Sequence, residues 1–288
     1  STATSEATSA VSSETSSTVA SGESAASGSY TGTPIKIGGI GPVTGGAAIY
    51  GQAVKNAEEL AVKEINAANG SDVFEWKFED DEHDAEKSVN AYNTLKDWGL
   101  QVLAGPVTTT PSIAVAAETA NDNLFMMTPS ASAPAVIESG DNVFQICFTD
   151  PNQGVGAADY MAENFADAKI AVIYRNDDAY SQGIRDAFVK EAGDKGLSIV
   201  YQGTFTLDTS SNFSVQLAAA QTAGADLVFL PIYYQPASVI FSQANAMGYA
   251  PTFFGVDGIW WAITVAEVFA FLISVLFLLA KRGKYHYM

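Results

Sequence analysis

Residues 34–70 read PIKIGGIGPVTGGAAIYGQAVKNAEELAVKEINAANG, and the pattern changes period once along them. Ile35–Ile40 is a short run with β-branched residues, closed by Gly41-Pro42, which signals a strand. Beyond the glycines, Val54, Ala57, Ala61 and Ile65 fall at i, i+3, i+7 and i+11, one face of a helix expected to pack inward. Asn69-Gly70 stops that helix, because glycine enters the left-handed conformation at no steric cost. A strand feeding a helix through a glycine-rich loop opens an α/β unit.

The same alternation continues outward. Further strands are expected at Phe74–Glu79, Val102–Gly105, Leu124–Thr128, Val143–Phe148, Ile170–Tyr174, Leu197–Phe205 and Asp226–Leu230. Asp84, ahead of Ala85 and Glu86, reads as the N-cap of a second helix. Repeated strand–helix alternation implies an α/β fold of parallel sheets covered by helices.

The two ends differ from this middle. Residues 1–33 are almost wholly Ser, Thr, Ala, Gly and Glu, which bury too little apolar surface to offset ordering entropy, so a disordered tether is expected. No initiator Met or leader is visible, and the N-terminus is expected to be a processed or a cut one. Residues 260–280, WWAITVAEVFAFLISVLFLLA, hold one ionisable group, Glu267. At ~1.5 Å per residue they span roughly 30 Å, a bilayer core, so one transmembrane helix is expected. Trp260 and Trp261 sit at one interface, and Lys281, Arg282 and Lys284 place residues 281–288 in the cytoplasm.

Composition and spacing exclude several chemistries. Lys plus Arg number 14 and Asp plus Glu 32, a net charge of −18 that repels nucleic acid. Cys147 stands alone, which rules out an internal disulfide and suits a small buried hydrophobe. Glycines 38–46 miss the G-x-G-x-x-G spacing, which would need glycine at Thr44, and Gly46 is followed by Ala47 and Ala48 where a P-loop needs Lys and then Ser or Thr. Two distant histidines, His83 and His286, do not make a zinc site. The run Glu79–Asp84 lacks calcium-loop spacing and reads as a solvated strand end with a helix cap. No nucleophile, base and oxyanion site assemble, so no enzyme, metal or cofactor is expected.

Residues 34–259 resemble the leucine/isoleucine/valine-binding protein family, the two-lobed type I periplasmic-binding fold. The segment quoted above is similar to its first strand, ligand loop and helix. AGPVTTTPSIAVA (104–116), MMTPSASAP (126–134), YRNDDAYSQGI (174–184), FLPIYYQP (229–236) and FFGVDG (253–258) follow in the family's order. The resemblance implies that Thr109 binds an α-carboxylate through its hydroxyl and N–H. The Ser130 carbonyl would accept from the α-ammonium, Ser132 would touch the head group, and Asp257 would pair with the ammonium. Tyr50, Tyr180 and Tyr233 would close over the ligand, with Val107 and Thr108 bordering its side chain. These types suit a zwitterion, which leaves water only when both charges are matched.

The resemblance further implies lobes at 34–147 and 148–259, a first crossing at Gln145–Gln153, and closure by hinge motion. The implied function is extracytoplasmic capture of an amino acid, branched-chain or otherwise apolar, for an ABC importer. Its permease subunits are the expected partners, and the membrane is reached through the C-terminal helix and an N-terminal lipid anchor. A tethered sensor, an amide-binding regulator of the same fold and a non-functional chimera are the other readings. The family continues beyond the position of Asp257, so lobe two is expected to be incomplete here. LLAKRGKYHYM (278–288) instead resembles the end of a multidrug and toxic compound extrusion transporter.

Overall fold

In the computed structural model, residues 30–255 are described. Residues 1–29 of the expected tether at 1–33, Asp257, the apolar run 260–280 and residues 281–288 lie outside the described residues. Among the described residues no helix is long and apolar enough to cross a membrane.

The first sheet comprises β1 (Ile35–Gly41), β2 (Phe74–Asp80), β3 (Val102–Ala104), β4 (Met126–Thr128) and β5 (Val143–Gln145). Helices α1 (Ala48–Asn69), α2 (Ala85–Trp98) and α3 (Thr109–Asp122) connect the first four strands. The chain leaves β5 and enters α4 (Asp150–Asn164), the first helix of the second unit. There follow β6 (Lys169–Arg175), α5 (Ala179–Asp194), β7 (Ser198–Phe205), α6 (Ser214–Thr222), β8 (Leu227–Phe229), α7 (Tyr234–Ala246) and β9 (Thr252–Phe254). Both sheets are wholly parallel, ordered β2-β1-β3-β4-β5 and β7-β6-β8-β9. Strand order reverses between β1 and β3 and between β6 and β8. In such sheets the crevice beyond the carboxyl ends of the strands at the reversal is where ligands bind.

The second sheet is buried on both faces. Ile170, Val172 and Tyr174 of β6 pack with Met161 of α4 and Phe188 of α5, whereas Ala171 and Ile173 pack with Phe213, Leu217 and Ile240. This period-two division is what a strand covered by helices on each side demands. In the first sheet, by contrast, the buried cluster lies on the α2 and α3 side, around Ile40, Tyr92, Leu95, Leu103, Val115 and Met126.

Local signals are realised as elementary chemistry requires. Asp84 is extended and accepts from Lys87 N (2.9 Å), so it caps α2. Gly70 closes α1 at φ 64°. Four expectations fail. The face of Val54, Ala57, Ala61 and Ile65 does not pack inward: Ala57 and Ala61 are exposed, and Ile65 is 40% exposed. α1 instead turns Gly51, Glu58, Val62 and Asn66 toward the protein, where Asn66 Nδ2 donates to Phe74 O (2.8 Å) and Trp76 Nε1 to Glu58 (3.1 Å). The expected strand Val143–Phe148 stops at Gln145, because the chain departs toward the second unit, with Ile146 65% and Phe148 69% exposed. Asp81, taken as solvated, is fully buried and accepts from His83 N (3.0 Å). Cys147 is only half-buried, its thiol facing Ala131 O at 3.3 Å.

Glu58 sits under Gly39, where an added Cβ would lie 2.2 Å from its Oε2 and would push the carboxylate aside. Burial drives the Glu58 carboxyl from its ordinary 4.5 up to about 7, against the downward pull of Trp76. The folded state thus favours protonated Glu58. The associated stability is complete below the unfolded value of 4.5 and is lost as pH rises through about 7. Glu58→Gln is expected to raise unfolding stability by about 1–3 kcal/mol at about pH 8. Urea denaturation across the range should show a flatter pH dependence than the parent; an alkaline stability no higher than the parent's would contradict it.

Candidate functional site

The turn from β3 into α3 forms one wall. Gly105 adopts φ 129°, and a Cβ there would press to 2.6 Å from Ile40 O, so the chain passes close to β1 only as glycine. Thr108 is the N-cap of α3 but its side chain makes no capping bond. First-turn N–H groups have no intrahelical acceptor, and Pro111 has no N–H. The N–H groups of Thr109 and Thr110 therefore stand at the positive end of the helix dipole, which favours an anion. Thr109 is buried at 1% exposure.

The loop after β4 is bolted to this turn. Ser112 Oγ and Thr128 Oγ1 both donate to Pro106 O, at 2.8 and 2.7 Å. Thr128 Oγ1 also accepts from Ala131 N (3.0 Å), and Ser130 Oγ donates to Val107 O (2.6 Å). Ser132 N reaches Thr109 Oγ1 at 3.4 Å, while Ser132 O accepts from Asp150 N (2.9 Å) at the start of α4. Burial raises the Asp150 carboxyl to about 6 although Ser132 bonds to it.

The opposite wall follows β6 and β8. Tyr180 stacks on Tyr233 (centroids 4.9 Å), and Tyr50 of α1 meets Tyr233 edge-on at 5.6 Å and Tyr234 at 5.9 Å. Burial raises all three phenols, Tyr50, Tyr180 and Tyr233, above their ordinary value, so they act as neutral hydrogen-bonding groups. Between the walls lies a cavity of about 110 Å³ lined by Tyr50, Val107, Thr108, Thr109, Ser130, Tyr180 and Tyr233. A single water needs about 10–15 Å³ by the same measure, so a small molecule has room. Of the nine residues singled out in the sequence, these seven share one cavity. Ser132 is buried at 4% exposure behind Thr109, and Asp257 lies outside the described residues.

Sequence reading passed over a second set. His83, in the loop after β2, places Nδ1 2.8 Å from Thr108 Oγ1 and its ring 5.0 Å from that of Tyr233. Its Nε2 lies 3.4 Å from Arg175 Nη1 and 3.7 Å from Asp178 Oδ1, both across the cleft. Thr110 Oγ1 also crosses, to Asp178 Oδ1 at 3.4 Å. Asp178 caps α5 by accepting from Ser181 N (3.0 Å). A pair of aspartates before a helix signals such a cap; nothing in the sequence pairs it with a histidine 95 positions earlier. Among the described residues no cluster of three or more His, Cys, Asp or Glu side chains is arranged to hold a metal.

Two parallel sheets facing each other across a polar cleft, with the loops after β3, β4, β6 and β8 meeting in it, define a two-lobed binding protein. The chain belongs to the periplasmic binding protein family, whose sequence profile matches residues 34–268. That match runs past Gly258 into the apolar stretch. The chain is 32% identical over 236 residues to Leu/Ile/Val-binding protein homolog 3 of Brucella melitensis, covering 80% of this chain and 64% of the relative. It is 31% identical over 236 residues to Leu/Ile/Val-binding protein BraC3 of Rhizobium johnstonii, with the same coverage. The solved branched-chain amino acid transporter substrate binding protein LivJ of Streptococcus pneumoniae, in complex with isoleucine, superposes with a TM-score of 0.70 at 27% identity, over 77% of this chain and 63% of that one. The chain thus spans under two thirds of the length of these relatives.

Thr128→Val tests the bolt between the two loops. It leaves Pro106 O with one donor fewer and the buried Ala131 N–H without its acceptor. A loss of about 1–3 kcal/mol is expected in chemical denaturation, together with faster amide exchange at Ala131. Parental stability with unchanged exchange would show that the loops hold without it.

Proposed function

We propose that the cleft captures an α-amino acid with an apolar, branched side chain, outside the cytoplasm, for delivery to an ABC importer. The observation that carries this reading is the convergence of hydroxyls, free helix N–H groups and three tyrosines from both lobes on one small cavity. In this reading the ligand carboxylate sits at the N-terminus of α3, on Thr109 Oγ1 and the first-turn N–H groups. Anionic acceptors at a helix N-terminus gain from both dipole and hydrogen bonds. The Ser130 carbonyl and Asp257 serve the ammonium, which leaves water only when such acceptors replace it, and the Ser132 hydroxyl touches the head group. Tyr50, Tyr180 and Tyr233 cover the ligand with apolar area, and Val107 and Thr108 border its side chain. No bond is made or broken, so this is a binding role and not an enzymatic one. The names of the relatives, and isoleucine in the Streptococcus pneumoniae structure, support the choice of ligand class. Permease subunits, and a membrane attachment that keeps the protein near them, are the partners this role requires.

Calorimetry with leucine, isoleucine, valine, alanine and an aromatic acid such as 4-hydroxybenzoate tests the proposal. A branched-chain amino acid is expected to bind most tightly. Thr109→Val is expected to weaken it by about 1–3 kcal/mol, since one hydrogen bond to a charged group is lost. Asp257→Ala is expected to weaken it by about 2–5 kcal/mol, as for one half of a desolvated ion pair. Heat with the aromatic acid and none with any amino acid would overturn the ligand class.

A further inference from the structure

Charged, titratable and polar groups reach His83 from several elements. Arg175 comes from the end of β6, Asp177 and Asp178 from the turn into α5, and Asp81, Glu82 and Asp84 from the histidine's own loop. The start of α3 offers Thr108, and the start of α7 the ring of Tyr233. The hydrogen bonds fix the imidazole's protonation state. Arg175 Nη1 can only donate, so Nε2 accepts from it at 3.4 Å with its lone pair. The ring proton then sits on Nδ1 and is donated to Thr108 Oγ1 at 2.8 Å. Asp178 Oδ1, at 3.7 Å from Nε2, is too far for a hydrogen bond and is engaged by Thr110. Arg175 is itself anchored by Asp177 at 2.6 Å. The His83 side chain is only 8% exposed.

From this geometry we infer that neutral His83 is a positioning residue that fastens the two lobes over the ligand cavity and releases them when it gains a proton. A second ring proton would point from Nε2 at the Arg175 guanidinium, replacing an accepted hydrogen bond by two facing cations. Burial, with Arg175, holds the imidazole below its ordinary 6.5 against Asp178, Asp177 and Asp84. Opening the cleft returns it toward 6.5. The open form therefore binds the proton more readily, and closure is complete above 6.5 and weakens as pH falls below it. The inference rests on the capture reading for its ligand and adds acid-triggered release to it.

The full chain, with Cys147→Ser and cysteines replacing the exposed Lys63 and Lys190, would carry one fluorophore on each lobe. Energy transfer between them and isoleucine affinity would be followed from about pH 8 to about pH 5. The expected result is separation of the labels on acidification and a dissociation constant rising by at most about tenfold per pH unit below 6.5. His83→Gln, which cannot be protonated, should abolish both responses. Arg175→Gln should blunt them, because a protonated ring then meets Asp178 without the opposing cation. If no amino acid binds at any pH while the labels still separate through His83, the capture reading falls and the latch stands. Flat responses in the parent, or an unchanged acid response in both variants, would overturn the latch while leaving capture intact.

Discussion

Two buried hydroxyls, from Ser112 and Thr128, meet on the carbonyl oxygen of Pro106, and the shape of the cleft depends on them. One belongs to α3 and the other to the end of β4. Their shared acceptor fixes the distance between the helix N-terminus and the loop carrying Ser130 and Ser132. A buried carbonyl with two lone pairs and two donors is fully satisfied, and removing either donor costs a desolvated acceptor. The site's first wall is thereby rigid without any ligand, which lowers the ordering cost of binding.

The second wall is held differently. Tyr180 stacks on Tyr233 within the second unit, Tyr50 reaches Tyr233 across the cleft, and His83, Thr110 and Asp178 add polar contacts beside them. The contacts that cross the cleft can be broken and remade, because they join two separately packed cores and belong to neither. The proposed capture of a charged ligand would use that combination, a preformed surface on one lobe and contacts on the other that can part and re-form.

Much of this was legible in the sequence. Eight of the strands follow from runs of Val, Ile and Phe bounded by Gly, Pro or Asp, and Asp84 and Gly70 mark helix ends by their own chemistry. β9, Thr252–Phe254, escaped because its run holds only two large apolar residues, Phe253 and Phe254, between Pro251 and Gly255, with no Val, Ile or Leu beside them. The face of α1 was misread because the helix is apolar on more than one side: Ile49, Leu60 and Ile65 are exposed while Glu58 turns inward to Trp76. Its mean apolarity gave no means of choosing between faces. In the site, the seven cavity residues were reached through family resemblance, since a lone Thr or Tyr has ordinary structural uses. His83 was passed over because its placement depends on left-handed conformations at Glu82 (φ 50°) and His83 (φ 63°), which neither residue type announces.

Among the described residues the two sheets are joined by a single stretch of backbone, between Gln145 and Asp150. Within the described residues the angular setting of one sheet against the other rests on the contacts between their facing loops as well as on that segment, Tyr50 with Tyr233 and His83 with Arg175 among them. Substitutions in these contacts should therefore disturb the rotational setting of the lobes as much as the gap between them.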